Sequence, residues 1–204
     1  MYGYNFTDTI RNILNVREPK LIHNSHSGYK HAGVLIPILK ERGVHKVLFT
    51  KRSLTVGNHK GQISFPGGSV DKEDTSLEET ALRETQEEIG LRREDIEILG
   101  RIDDTLTLES NFLVHPFVGL VPYPYNFTIS EGEVEKLIKI PLKIFHPGKL
   151  GDKGHLFESN GKADRVLTYK YDNEVIWGAT ARMMQNFMDI LGDKLPCQKL
   201  INRV

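Results

Sequence analysis

Apolar residues run along this chain in two rhythms, and the switches between them mark out its elements. Residues 7–15, "TDTIRNILN", put Ile10, Ile13 and Leu14 on one helical face behind a Thr/Asp start. "AGVLIPILK" (32–40) and "KVLFTKR" (46–52) read as strands around the turn "ERGVH". "QISF" (62–65) is a short strand stopped by Pro66-Gly67-Gly68. "DIEILGRID" (95–103) and "FLVHPFVGLV" (112–121) give two more strands, the second apolar over much of its length, as a buried strand requires. "EVEKLIKIP" (133–141) fits helix and strand equally. "VLTYKY" (166–171) and "EVIW" (174–177) alternate like a hairpin turning at Asp172-Asn173. "TARMMQNFMDILG" (180–192) returns to helical spacing, with Met183, Met184, Phe187 and Ile190 available for packing.

One further helix carries acid at an unfavourable end. In "FPGGSVDKEDTSLEETALRETQEEIGL" (65–91), Ser76 and Glu79 form an S-x-x-E capping box, and Leu77, Ala81 and Ile89 supply an apolar stripe. Glu87 and Glu88 fall in the last turn before Gly90, the expected C-cap, and Glu84 lies one turn earlier. A carboxylate there opposes the helix dipole at a cost of about 0.3–1 kcal/mol, and the three also repel one another. At about 100° per residue they share one arc and can be presented to one point. A solvated acidic face would explain the charges alone. The glycine pair favours a second account, in which a hard divalent cation neutralises both repulsion and dipole. Mg²⁺ accepts a few carboxylates and takes its other ligands from water and substrate phosphates. A backbone carbonyl at Gly67, where no side chain intervenes, is a further candidate ligand.

Composition narrows the field. The 204 residues, 39% hydrophobic, show no repeat, low-complexity tract or Pro/Ser linker. Strands dominate, with a few helices between them, so the class is mixed α/β in one domain. Lys plus Arg and Asp plus Glu are 27 each, so no global basic field exists to hold nucleic acid or an anionic membrane. The longest apolar stretch, "VLIPIL" (34–39), is far short of a membrane span, and the N-terminus lacks a signal-peptide pattern. The single cysteine, Cys197, suits a reducing compartment. A cytoplasmic location is expected.

The stretch 65–91 resembles the Nudix box, the signature of hydrolases acting on a nucleoside diphosphate linked to another moiety. Arg83-Glu84, Glu87-Glu88, Gly90 and Leu91 match that pattern. Thr85 stands where the pattern has an apolar residue, Asp74 where it has Glu, and the spacing to Arg83 is one residue longer. The longer spacing is similar to that of the coenzyme A diphosphatases, as is the upstream run "LFTKRSLTVGNHKGQISFPGG" (48–68), with Thr50, Arg52, Ser53, Gly61, Phe65, Pro66, Gly67 and Gly68 in register. Gly57 stands where that subfamily usually has Arg. "HPFVGLVP", "EVEKLIKIPL" and "IWGATA" extend the likeness over about residues 31–190.

The resemblance implies an α/β/α Nudix sandwich with a mixed sheet over residues 1–204, with helices at 5–15 and 179–192 as extensions of the core. It implies Mg²⁺- or Mn²⁺-assisted hydrolysis of the diphosphate of CoA or acyl-CoA to adenosine 3′,5′-bisphosphate and 4′-phosphopantetheine or its acyl form. Another nucleoside diphosphate derivative is the alternative within enzymes, and a non-catalytic Nudix sensor the alternative outside them. Glu84 and Glu88 are then first choices for metal ligands, with Glu87 and Gly67 beside them. Arg83 fixes a neighbouring carboxylate. The general base is open among Glu87, Glu109, Glu131 and Glu133. Arg52, Lys51, His59 and Lys60 are candidates for substrate phosphates, with Arg52 ahead of Lys60 for the 3′-phosphate of CoA. The partner is a CoA-like small molecule, and a homodimer is compatible with this reading. His23, His26 and His31 match no metal-binding spacing, and His115 reads as structural.

Overall fold

Strand β1 (Lys30–Glu41) is buried without a break from Ala32 to Leu39, the mark of a strand covered on both faces. The structure, a computed structural model, describes residues 5–22, 28–54, 60–107, 110–146, 155–159 and 162–192, with backbone alone for 155–159 and 162–166. β1 pairs antiparallel with β2 (Val44–Arg52) on one side and parallel with β7 (Phe112–Leu120) on the other. Beyond β2 lie β3 (Ile63–Ser64) and β8 (Val134–Pro141), and beyond β7 lie β5 (Glu97–Arg101) and β6 (Thr105–Leu106). The short β4 (Gly67–Ser69) pairs with the first half of β1. The sheet is therefore mixed and eight-stranded.

Strand alternation sends side chains to two cores. Ile36, Ile38, Val47 and Phe49 meet Ile10 and Leu14 of α1 (Phe6–Asn15) and Met183, Met184 and Phe187 of α3 (Gly178–Leu191). On the opposite face, Leu35, Leu39 and Leu48 meet Ala81 and Ile89 of α2 (Leu77–Ile89). Helices thus cover both faces, as the α/β/α expectation requires. Among the described residues no helix is long and apolar enough to cross a membrane.

The segment 133–141 is a strand. Val134, Ile138 and Ile140 are buried at even spacing against β2, a period that a helix would break. The expected strand 95–103 is shorter, because Arg93–Asp95 forms a 3₁₀ turn ahead of β5. The hairpin turning at Asp172 is β11 (Tyr169–Tyr171) and β12 (Glu174–Ile176), with Asp172 at φ 51°. A second hairpin, β9 (His155–Ser159) and β10 (Lys162–Val166), has no counterpart in the sequence reading.

At the β1–β2 turn, Glu41 accepts hydrogen bonds from Lys139 and Lys46, and Lys139 also reaches the Tyr123 hydroxyl. Lys139, then Lys46 and Tyr123, hold the Glu41 carboxyl down to about 2. A depressed acid adds stability above its unfolded value near 4.5 and loses it as pH falls through the folded value. Between pH 4.5 and about 2, wild-type stability should therefore fall more steeply than that of Glu41→Gln, measured by urea unfolding across that window.

Candidate active site

Helix α2 is built from both ends by backbone and cap chemistry. Ser76 accepts from the Glu79 amide at 3.1 Å, and Gly90 takes the left-handed C-cap at φ 66°. No basic side chain sits in the last turn. Instead the chain after β7 returns to it: the Thr128 amide donates to the Ile89 carbonyl at 3.0 Å and the Ser130 amide to that of Glu88 at 2.9 Å. These amides satisfy the carbonyls that carry the negative pole, so the acids tolerate their position. The same loop delivers Glu133. Its amide donates to Ser130 O and its carbonyl accepts from the Ser53 amide at 2.8 Å.

The glutamates separate by depth. Glu88 is 3% exposed, with Oε2 3.4 Å from the Gly67 amide and Oε1 3.9 Å from an Arg52 nitrogen. Burial pushes its carboxyl up to about 8, against the opposing pull of Arg52 and the Gly67 N–H. Glu84 lies against Gly68, where a Cβ would stand 2.4 Å from the carboxyl group, so the second glycine of the pair makes room for it. Burial raises Glu84 as well, opposed by Arg83. The charge of Glu133, an exposed residue, adds a little to the rise at both Glu84 and Glu88. Glu87 points outward, its side chain 60% exposed. The arc expected to gather all three acids is too wide. Successive residues differ by about 100°, so Glu88 turns inward while Glu87 meets solvent. Among the described residues, no three carboxylate, imidazole or thiol groups already form a metal cage.

Arg83 organises the near side. Its Nε and one terminal nitrogen grip Asp74 at 2.8 and 2.9 Å, and the other terminal nitrogen reaches Glu84 at 2.9 Å and Glu87 at 3.2 Å. It also donates to the Ser69 carbonyl at 3.1 Å, tying α2 to β4. The Asp74 side chain is 2% exposed and accepts in addition from the Asp71 amide and the Thr80 hydroxyl, both at 2.8 Å. Arg83 above all holds this carboxyl far below its ordinary range. Sequence reasoning treated Asp74 as a departure from the family pattern and missed this grip. The signal was its place in the pattern, nine residues before Arg83. Asp74→Asn keeps the shape but removes the charge that orients Arg83. We expect turnover to fall about tenfold with little change in KM, since Glu84 loses its fixed rotamer. Steady-state kinetics check it.

The other expected residues scatter. Arg52 stands 3.9 Å from one of the carboxylates, Glu88, but Lys51 turns away from them. As its neighbour on β2, Lys51 projects from the other face, where it pairs with Glu174 at 3.4 Å and Glu135 at 3.8 Å. Lys136, directly across the strands, meets the same Glu174 oxygen at 2.7 Å. Two opposed lysines repel unless an anion lies between them, and Glu174 is that anion. Lys60 is exposed. Glu131 is exposed at the turn before β8. Gly57, His59 and Glu109 lie outside the described residues.

The oxygen donors present fit a hard divalent cation. The deeply buried Glu88 carboxylate has a single weak amide contact and one guanidinium beyond hydrogen-bond reach, so its charge is under-compensated without one.

The comparisons agree with this geometry. The NUDIX domain family matches residues 29–152. The relative from Photorhabdus laumondii subsp. laumondii named "Uncharacterized Nudix hydrolase NudL" is 36% identical over 156 residues, 76% of this chain and 81% of the relative. The protein of the same name from Yersinia enterocolitica is 40% identical over 163 residues, 79% of this chain and 80% of the relative. Among solved structures, a MutT/nudix family protein from Enterococcus faecalis superposes with a TM-score of 0.52 at 13% identity, covering 93% of this chain and 70% of that one. With a box helix seated on a mixed sheet and relatives aligned over most of their length, the chain belongs to the Nudix family and is a hydrolase of pyrophosphate bonds.

Proposed function

We propose that the chain hydrolyses the diphosphate of coenzyme A or acyl-CoA, releasing adenosine 3′,5′-bisphosphate and 4′-phosphopantetheine or its acyl form. The observation that carries this reading is where three residues of the run 48–68 lie beside α2: Arg52 stands 3.9 Å from Glu88, and the glycine pair lies against Glu84 and Glu88. Arg52, Gly67 and Gly68, which belong to the stretch that resembles the CoA diphosphatase signature, thus border two of the carboxylates that resemble the Nudix box.

Glu88 and Glu84 would hold Mg²⁺ or Mn²⁺, with the Gly67 backbone and Glu133 in support. The bound ion supplies Lewis-acid polarisation of a phosphoryl oxygen and a lower pKa for the attacking water. Arg83, clamped by Asp74, keeps Glu84 in one rotamer. Arg52 offers a guanidinium to a diphosphate oxygen, and Glu133 is the general base we favour, because it is exposed to solvent on a separate loop and its charge is felt at both Glu84 and Glu88. Purified protein with Mg²⁺ or Mn²⁺ should cleave CoA ahead of NADH, ADP-ribose and ADP-glucose, with the two products identified by mass. Preferred cleavage of any of the other three would replace CoA with that substrate.

One chemical difference sharpens the test. CoA carries a 3′-phosphate that dephospho-CoA lacks, and a site with cations for it should prefer CoA by roughly tenfold to a few hundredfold in kcat/KM. Arg52 lies too close to Glu88 to reserve itself for that distant group. Arg52→Ala should thus harm CoA and dephospho-CoA alike, leaving Lys60 as the candidate for the 3′-phosphate. A selective loss on CoA would return the 3′-phosphate to Arg52. Equal kcat/KM for both substrates in the wild type would remove the 3′-phosphate from recognition.

A further inference from the structure

Among the described residues, the partly buried arginines Arg11, Arg17, Arg52, Arg83 and Arg101 each face a carboxylate. Arg182, half-buried in the second turn of α3, is the exception. Its guanidinium donates to the Leu106 carbonyl at 2.8 Å, and no described acid pairs with it. Burial pulls it below its ordinary value with no neighbouring charge to oppose the shift. Desolvating a full charge is costly without a counter-ion, and one carbonyl dipole offsets little of that cost. The fork of N–H donors that remains suits a phosphate or carboxylate. There is also room beside it. Gly178 lies one turn earlier on the same helical face, and an added Cβ there would meet open space among the described residues.

Sheet topology puts this cation at the same end of the molecule as Arg52. β1 and β7 run parallel and begin there, at Lys30 and Phe112. β2 and β6 run against them and finish there, at Arg52 and Leu106. The start of α3 crosses this end. On one side the Thr180 hydroxyl donates to the Ile63 carbonyl at 3.1 Å, next to Gln62, whose carbonyl accepts from the Arg52 amide at 2.9 Å. On the other side Arg182, about 3 Å further along the helix axis, reaches Leu106. Two guanidinium groups, one beside Glu88 and one without an acid, therefore bracket the end of the sheet where the glycine pair and the box carboxylates meet.

We propose that Arg182 is a specificity-determining residue that receives a phosphate monoester on the nucleoside half of the substrate, which in coenzyme A is the 3′-phosphate. The inference rests on the CoA reading above and names the group that reads the 3′-phosphate. Arg52 serves the diphosphate, and the 3′-phosphate is carried on the same ribose as that diphosphate, so the second anion calls for a second cation at this end of the sheet. Lys60 is the rival, but it is exposed and water already satisfies its charge. A partly desolvated guanidinium discriminates more sharply, because a substrate without the phosphate leaves it unpaired.

The test uses the full chain with Mg²⁺ and two probes that hold no diphosphate, adenosine 3′,5′-bisphosphate and adenosine 5′-monophosphate, so calorimetry reads binding without turnover. Wild-type protein should bind the bisphosphate about tenfold or more tightly than the monophosphate. Arg182→Gln should erase that preference by weakening the bisphosphate alone, and Arg182→Lys, which keeps the charge, should recover part of it. In turnover, Arg182→Gln should raise KM for CoA, hold kcat, and leave dephospho-CoA unchanged, the pattern of uniform binding lost. A merely structural tie to Leu106 would weaken both probes alike and lower the unfolding midpoint, and that result overturns the proposal. Equal binding of the two probes by wild type overturns it too, as does a selective loss in Lys60→Ala with none in Arg182→Gln. The two readings fail separately. If CoA is the preferred substrate and Arg182→Gln binds both probes normally, the CoA reading stands and this inference falls. If another substrate is cleaved ahead of CoA, the CoA reading falls, and a bisphosphate preference lost in Arg182→Gln still supports a phosphate monoester site at Arg182.

Discussion

Glu88→Gln should lower diphosphate turnover by at least about a hundredfold, a loss of roughly 2.7 kcal/mol of transition-state stabilisation. The substitution keeps size and helix propensity and removes one charged oxygen from the most deeply buried acid of α2. The metal-free protein should respond in the opposite sense. Burial lifts the Glu88 carboxyl to about 8 from an unfolded value near 4.5, so folding favours the protonated form. That stabilisation is complete below pH 4.5 and is lost as pH rises through about 8, where the buried group is forced to ionise. Glu88→Gln escapes this penalty, and its stability relative to wild type, in chelator, should grow across the window. Adding Mg²⁺ should then stabilise wild type more than the variant. Near-normal turnover in Glu88→Gln would end its assignment as a metal ligand, whatever the stability data show.

Gly33→Ala should be the most destabilising of these changes. A Cβ at this position would stand 2.4 Å from the Leu77 carbonyl oxygen and 2.9 Å from the Ala81 amide nitrogen, both backbone atoms of α2. Neither can rotate away, so the helix must lift off the sheet. Overpacking of this kind costs about 1–3 kcal/mol and occasionally more, and rigid backbone on both sides puts this case near the top. For a chain of this size, about 3 kcal/mol lowers Tm by roughly 6–12 °C. Activity should fall with it. Gly33 pairs with Gly68 across β1 and β4, so the displaced helix would carry Glu84 and Glu88 away from the glycine pair they lie against. Gly132→Ala, where an added methyl meets open space, is the matched control and should leave Tm unchanged. An unaltered Tm and turnover in Gly33→Ala would show that α2 is free to shift without consequence for the site.

Much of this molecule is written locally. The capping box at Ser76, the glycine stop at Gly90 and the apolar stripe of α2 depend on contacts within one or two turns, and each is visible in a short stretch of sequence. The continuous burial of β1 and the hairpin at Asp172 are equally local signals. The box residues also announced a set of carboxylates, because acids at the wrong end of a helix need a reason. What local spacing does not encode is depth. Glu87 and Glu88 are adjacent in sequence, yet one is solvated and the other buried, and the sheet packed beneath α2 makes that difference. The same holds for Lys51 and Arg52, which alternation on a strand covered on both faces sends to opposite sides. Asp74 and Glu133 reach the site through a loop and a returning chain. Their roles depend on contacts with Arg83, nine residues on, and with a helix end more than forty residues back, which no periodicity records. Sequence alone therefore determined the elements and the inventory of charged groups. Tertiary packing decided which charges are desolvated, which are paired and which face one another, because those properties belong to the space between elements.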